Sequence, residues 1–437
     1  MKIRFLIFFL FISCLPKDQE VCSEFGDKKC AISSADIADE PTSQNEVPET
    51  KTTETETENQ TAQETEAWVE QEIADYCPLN LPEIPAVTSD GRVIIRVCPP
   101  AEMREGCDSD SIGQAIKIAP NNSRIEIVKG QMPYNQCAVI SSAQQNIEIL
   151  GVCGKAHIKN KVCEKKGIFV NYGKGVRFIN LELSHAEIPL NDGGNGAGIR
   201  DQSLGGTYFE DLNIHHNQMG MLGGSGILTI KRSKFEANGN PERIGYNHNI
   251  YLSADVVKAD IQNSLFLRAS AEGNNFKSRA QEVIFECSVS ASLDGQDSRE
   301  MDFSEGGKLL IKNSIIQQGS ASKNSNMLGF ATESNNQSRR HSMMQVDIEN
   351  SLFINDKSNG SFITYNAYND RDLSINIIDS LFVGSGSYNH NSNQGPTQFF
   401  EKRVETYPDR SSAQLPVVSN NHMDLPIPKD CPGFAYF

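Results

Sequence analysis

Four short phrases in the middle of the chain line up when stacked: Asn249–Leu252, Asn275–Ser278, Asp302–Glu305 and Gly329–Thr332. Their central apolar residues, Ile250, Phe276, Phe303 and Phe330, recur at intervals of 26 or 27 residues. A recurrence of that length marks a solenoid, because one repeat buries its apolar face only by stacking on its neighbours. Phe362 and Phe399 continue the column at looser spacing.

A second column keeps the same period. Ile261–Phe266, Ile311–Ile316 and Ile348–Phe353 share the pattern apolar-x-Asn-Ser-x-apolar, and Ile230–Phe235, Phe285–Ser290 and Ile377–Phe382 are variants of it. Two strand columns out of phase within one repeat require a corner between them, and Asn favours tight bends because its side chain can bond its own backbone. The expected fold is therefore all-β: a coil of short parallel strands, a β-helix.

Composition agrees with one elongated body. The chain has 437 residues, 38% of them hydrophobic, which suffices for the thin core of stacked rungs. Of the net charge of −16, most comes from the thirteen acids that fall, with one lysine, between Asp36 and Asp75. Such a run reports a solvated tail. The remainder is close to neutral, so no nucleic-acid-binding footprint is implied.

Eleven cysteines without Cys-x-x-Cys spacing point to an oxidising compartment. Setting Cys14 aside leaves an even ten. Several disulfides are expected where cysteines crowd, at Cys98, Cys107, Cys137, Cys153 and Cys163, with Cys431 pinning the tail to the body.

Residues 1–13 read as a signal, with Lys2 and Arg4 ahead of the apolar run Phe5–Ile12, too short to span a bilayer. Phe11–Cys14 resembles the lipobox of bacterial lipoproteins, which implies cleavage before Cys14, its lipidation, and a place on the outer membrane or cell surface, with the periplasmic face left open. Residues 14–75, rich in Thr, Glu, Gln, Ser and Pro, lack the apolar surface to offset their ordering entropy and are expected to be a disordered tether. Its mean reach would be about 40–45 Å. Cys22 and Cys30 would close a small loop within it.

Residues 76–123 form a lead-in and cap, in which Ser111–Ala119 has helical apolar spacing. Alternation in Arg124–Val128, then Lys129-Gly130, opens the strands. This helix followed by a first strand ending in Gly resembles the start of pectin-lyase-like β-helix proteins. The resemblance implies a single right-handed parallel β-helix over residues 124–400 and an N-terminal capping helix that covers the open end of the stack. Residues 401–437 form an irregular tail that guards the last rung.

Strand alternation places the outer face of the first column at Asn249, Tyr251 and Ser253, then Asn275, Lys277 and Arg279, then Glu300, Asp302 and Ser304, then Ala331 and Glu333. Cations on one rung lie over carboxylates on the next. One reading is a surface ladder of amides and ion pairs, each contributing at most about 1 kcal/mol. The other is a carbohydrate site. There Lys277 or Arg279 would take the proton beside a uronate carboxyl group, Tyr251 would protonate the leaving oxygen, Asn249 and Asn275 would bind the sugar, and Glu300 with Asp302 would hold a Ca²⁺. Glu300 and Asp302, about 6.5–7 Å apart on one strand face, also fit a hydrolase pair. Their cationic neighbours would keep both ionised, which disfavours the proton donor that a hydrolase needs.

His248, at an inward offset, is expected to be a buried hydrogen-bonding residue. Arg339, Arg340 and His341 are expected at a solvated loop tip, or as a grip on an anionic chain.

The phrases His248–Tyr251, Lys277–Ala280, Glu300–Phe303 with Gly306-Gly307, and Ile316–Gly319 resemble those of secreted bacterial right-handed β-helix repeat proteins. That resemblance supports the fold and carries over no catalytic residue. The functional expectation is a monomeric cell-envelope lipoprotein that binds, and by β-elimination cleaves, an acidic polysaccharide. The alternative is a non-catalytic surface module for glycan or protein.

Overall fold

Each turn of the chain lays down three short strands and three corners. Val256–Gln262 lies in the first sheet, Leu265–Leu267 in the second and Phe276–Ser278 in the third, before Glu282–Glu286 returns to the first. Repeated, this gives parallel sheets of 12, 10 and 10 strands among the described residues, a parallel β-helix. The structure, a computed structural model, describes residues 87–333, 341–370, 372–393, 395–417, 421–432 and 434, all within one unit, Ala62–Phe437. The signal, Cys14, Cys22, Cys30, the acidic tether, Arg339 and Arg340 lie outside the described residues.

The Asn-Ser corner explains why this chain coils. Asn263, Asn313 and Asn350 all have φ near +50°, as do Cys287 and Asp379 at the variant corners. The left-handed region is what a one-residue bend between two strands requires, and Asn tolerates it best among residues with a Cβ. The serine that follows builds a ladder from Ser233 to Ser380. Ser233, Ser264, Ser288, Ser314, Ser351 and Ser380 each donate to the carbonyl two residues back, at 2.7–2.8 Å. Each also accepts the backbone N–H of the residue at the same corner of the preceding rung, at 3.1–3.2 Å. Corner amides and carbonyls that a turn would leave unpaired are thereby satisfied, each bond contributing about 1 kcal/mol.

Inward residues of the second column follow the register read from the sequence. Ile230, Ile261, Phe285, Ile311, Ile348 and Ile377 pair in succession, and Phe235 and Phe266 stack at 5.2 Å. The first column keeps its register where Ile250 pairs with Phe276 and Phe303 with Phe330, and departs at the step between them. Phe276 pairs with Met301 and Ser278 with Phe303, two residues away from the stacking of Phe276 on Phe303 that their spacing suggests. A slip of two keeps every side chain on its own face, so the hydrophobic pattern cannot detect it. Phe399 belongs to the first sheet, within Thr397–Lys402, and does not extend this column.

Helix α1, Ile112–Ile118, caps the first rung. The Ser111 side chain accepts from the Gln114 amide, and Ile112, Ala115 and Ile116 are buried in the core. Gln144 donates to the Ile116 carbonyl at 2.5 Å, tying the helix end to the stack.

Disulfides join Cys98 to Cys107, Cys137 to Cys163 and Cys287 to Cys431, and Cys153 is also oxidised. The last of the three pins the tail to the body through Cys431, as expected, and corrects the tail's course, which does not stop at the final rung. It runs back along the second sheet, where Leu425 packs on the outward Leu265, Leu267, Val289, Ala291 and Ile315. Arg410 holds Asp356 through two 2.6 Å contacts. These outward positions are apolar and need a cover, and the tail supplies it.

Candidate functional site

The two-residue slip in the third sheet sets the site. Strands Ile250–Leu252, Phe276–Ser278, Met301–Phe303 and Asn326–Phe330 place Tyr251, Lys277, Asp302 and Gly329 side by side in one outward row. Lys277 Nζ lies 2.6 Å from Asp302 and 2.7 Å from Glu333. Arg279 donates from Nε to Tyr251 Oη at 2.5 Å, binds Glu305, and reaches Glu333 at 3.3 Å. Both cations also lie against the Tyr251 ring, at 5.7 and 5.8 Å from its centre. Sequence reasoning thus brought Lys277, Arg279, Tyr251 and Asp302 to the right face.

The row faces outward, yet it is roofed. Lys277 is 7% exposed and Asp302 0%. Arg299 and Asn274 close over Asp302, at 3.5 and 3.3 Å. Gly329 makes room for Arg299, since a Cβ there would lie 3.2 Å from its Nε. Burial alone would raise the Asp302 carboxyl, but Lys277 and then Arg299 hold it below its ordinary value. Burial likewise would lower the Lys277 amine, and Asp302 and Glu333 outweigh it, so the amine stays protonated above its usual range. Burial raises Tyr251, which keeps its proton; Arg279 and Lys277 offset only part of this. Three cations face three carboxylates, so the cluster is compensated.

Asn249, Asn275 and Glu300 do not join that face. They form the inner corner between the second and third sheets, where an amide ladder runs Asn217, Asn238, Asn249, Asn275 at 2.8–3.0 Å per step. The ladder ends on Glu300 and Asp297, which Asn275 Nδ2 reaches at 2.7 and 2.6 Å. All of these are at most 1% exposed, so Asn249 and Asn275 present no atoms to a sugar. Glu300 also hydrogen-bonds Ser292, whereas Asp302 turns to Lys277, Asn274, Ser304 and Arg299. The two carboxyls are aimed at different partners, so the shared Ca²⁺ site expected of them does not form, nor does the hydrolase pair already disfavoured by their cationic neighbours.

The charge state of Glu300 is also corrected. Burial and the nearby Asp297 push its carboxyl well above the ordinary range, and burial raises Asp297 to about 7. Corner residues cannot be told from outward ones by alternation, because the chain has not yet entered the strand.

His248 is buried as expected. It accepts the Asn274 amide on Nδ1 at 2.9 Å, and burial with Lys277 nearby lowers it to about 3. His341 is not at a solvated tip: it bonds the Arg279 carbonyl at 2.9 Å and helps fix that strand end. Sequence reasoning missed Arg299, Glu305 and Asp297 as members of this network. The 25-residue interval from Lys277 to Asp302 is the signal that would have found Arg299, three residues before that partner.

A groove of 630 Å³ lined by Ser342, Met344, Asp372 and Ser374 among others includes none of the cluster residues.

The molecule is thus a parallel β-helix protein whose third sheet carries a compensated cation–carboxylate cluster around a tyrosine. Among solved structures it is similar to pectate lyase Pel9A, at 14% identity and a TM-score of 0.37 over 72% of this chain and 76% of that one. It is also similar to an alginate lyase from Paenibacillus sp. str. FPU-7, at 12% identity and a TM-score of 0.41 over 71% of this chain and 99% of that one. At these values the likeness assigns no residue a role. No family model and no curated protein matches the chain.

Proposed function

We propose that the protein binds a carboxylate-bearing polysaccharide along the third sheet, at Lys277, Arg279 and Tyr251. One observation carries this reading. Glu333, with its side chain 43% exposed, already seats a carboxylate against Lys277 Nζ and Arg279 Nη2, at 2.7 and 3.3 Å. A uronate carboxylate has the same chemistry and would take that place when Glu333 swings out.

Cleavage by β-elimination is the enzymatic form of the same reading, favoured by Tyr251. Its oxygen accepts from Arg279 while its own proton is retained, ready for a leaving oxygen. The competing class is a non-catalytic surface module. Ca²⁺ remains a proposal to be read in the same assay.

Purified protein is screened against uronate polysaccharides, with and without Ca²⁺, for binding and for ultraviolet absorbance of unsaturated product. The expected result is binding that weakens at least tenfold in Arg279→Ala, with any product lost in Tyr251→Phe. Binding without product leaves a recognition module; no binding to any uronan would sink the proposal. The same proposal places the protein outside the cytoplasm on a lipid at Cys14. Cys14→Ala should leave the membrane fraction, and its retention there would refute the anchor.

A further inference from the structure

Half of the chain's eight histidines, His157, His185, His215 and His216, gather on the outer face of the second sheet, remote in sequence from the cluster above. Three successive rungs place them. His157 lies on Ala156–Lys159, Glu182 on Leu181–Ser184 and His215 on Asn213–His215, with Glu182 directly opposite His157 and His215 opposite Ser184.

His157 Nδ1 and His215 Nε2 both point at Glu182 Oε1, from 3.6 and 3.0 Å, and the three atoms lie within 4.8 Å of one another. Ligand atoms around a tetrahedral zinc ion, bound at about 2.0–2.1 Å, are roughly 3.3 Å apart. Two of the three separations bracket that value. Closing the third takes a small rotation of side chains that are 24%, 27% and 18% exposed.

We propose that His157, Glu182 and His215 bind a late divalent transition metal ion of the zinc class, with a fourth position open to solvent. Two imidazoles and one carboxylate suit Zn²⁺ or Co²⁺ and not the all-oxygen shells of Ca²⁺. The nitrogens turned away from the site are already engaged, as metal-bound histidines require. His157 Nε2 lies 2.7 Å from Ser184 Oγ, which lies 2.8 Å from His185 Nδ1; His215 Nδ1 lies 2.8 Å from His216 Nδ1.

In the metal-bound form His157 Nε2–H donates to Ser184, which donates to His185, and His215 Nδ1–H donates to His216. The ion takes the place of the proton on His215 Nε2, and His215 and His216 each keep one proton by moving it to the other ring nitrogen. The nearby Lys155 turns its amine to the Asp211 carbonyl, away from the ion's place. A bound ion would clamp three rungs of the stack together.

The test uses the full chain, stripped with a chelator under non-reducing conditions and titrated with Zn²⁺ by calorimetry and with Co²⁺ by visible absorption. One ion per chain is expected, with a Co²⁺ spectrum of tetrahedral intensity and a melting midpoint that rises with Zn²⁺. His157→Ala, His215→Ala and Glu182→Gln should each weaken binding at least tenfold while keeping the far-ultraviolet spectrum. Ser184→Ala should weaken it about tenfold through the outer hydrogen bond, and His390→Ala, at an exposed histidine on the third sheet, should not change it. No stoichiometric binding overturns the proposal. So does binding unchanged in the His157→Ala/His215→Ala double variant, which would place the ion elsewhere.

Discussion

Lys277→Ala is expected to destabilise the protein by about 3–5 kcal/mol, the usual cost of leaving one partner of a buried ion pair alone. Asp302 is fully buried, and without Lys277 it keeps only Arg299 at 3.5 Å and two neutral donors at 3.3 Å. Denaturant midpoints should show the loss at pH 7. Lys277→Ala/Asp302→Asn should recover more than half of it, because the uncompensated charge is gone.

The pH dependence has a definite sign. Asp302 is held below its ordinary value in the folded state, so its pairing contributes stability above about pH 4 that is lost as pH falls through its folded value. The gap between wild type and Lys277→Ala should therefore shrink below about pH 4. A Lys277→Ala variant as stable as wild type at pH 7 would show that the cluster is solvated and not a roofed network.

Glu300→Gln is expected to fold with stability within about 1 kcal/mol of wild type at pH 7, whereas Glu300→Ala should lose about 2–4 kcal/mol. The reason is one proton. Ser292 has a single hydrogen, yet its oxygen lies at hydrogen-bonding distance from both Asp297 and Glu300. It donates to Asp297, so Glu300 must donate to Ser292 and carries the proton itself. Gln reproduces that donor and still accepts from Asn275. Ala leaves Ser292 and Asn275 unpaired in a closed corner.

Both carboxyls are raised in the folded state, so their contribution is fully present below about pH 4 and fades as pH rises toward and past about 7. Glu300→Gln should therefore lose less stability than wild type between pH 6 and 8.5, read as denaturant midpoints across that range. A steeper decline in the variant would overturn the shared-proton account.

Neither corner nor cluster was equally open to reading. The Asn-Ser phrase is a local signal: it needs a left-handed residue and a hydroxyl within two positions, and both are fixed by chain chemistry at each corner. Hence the second column, the corners and the capping helix could be placed residue by residue. Lys277 and Arg279 could be placed on a face because alternation has a period of two. Which carboxylate each would meet could not, since a two-residue slip leaves alternation intact while exchanging Ser304 for Asp302 opposite Lys277.

The repeat and its corners, therefore, were determined by the sequence alone, because stacking apolar residues at a fixed interval and bending at Asn-Ser are properties of short segments. Only the tertiary structure decided what depends on register and on distant returns of the chain. It withdrew Asn249, Asn275 and Glu300 into a dry corner, and it drew the tail back to Cys287 over the second sheet. It also brought His157, Glu182 and His215 to one point, from three rungs whose separations carry no local mark. Those outcomes rest on contacts between segments tens of residues apart, which no periodicity within either segment encodes.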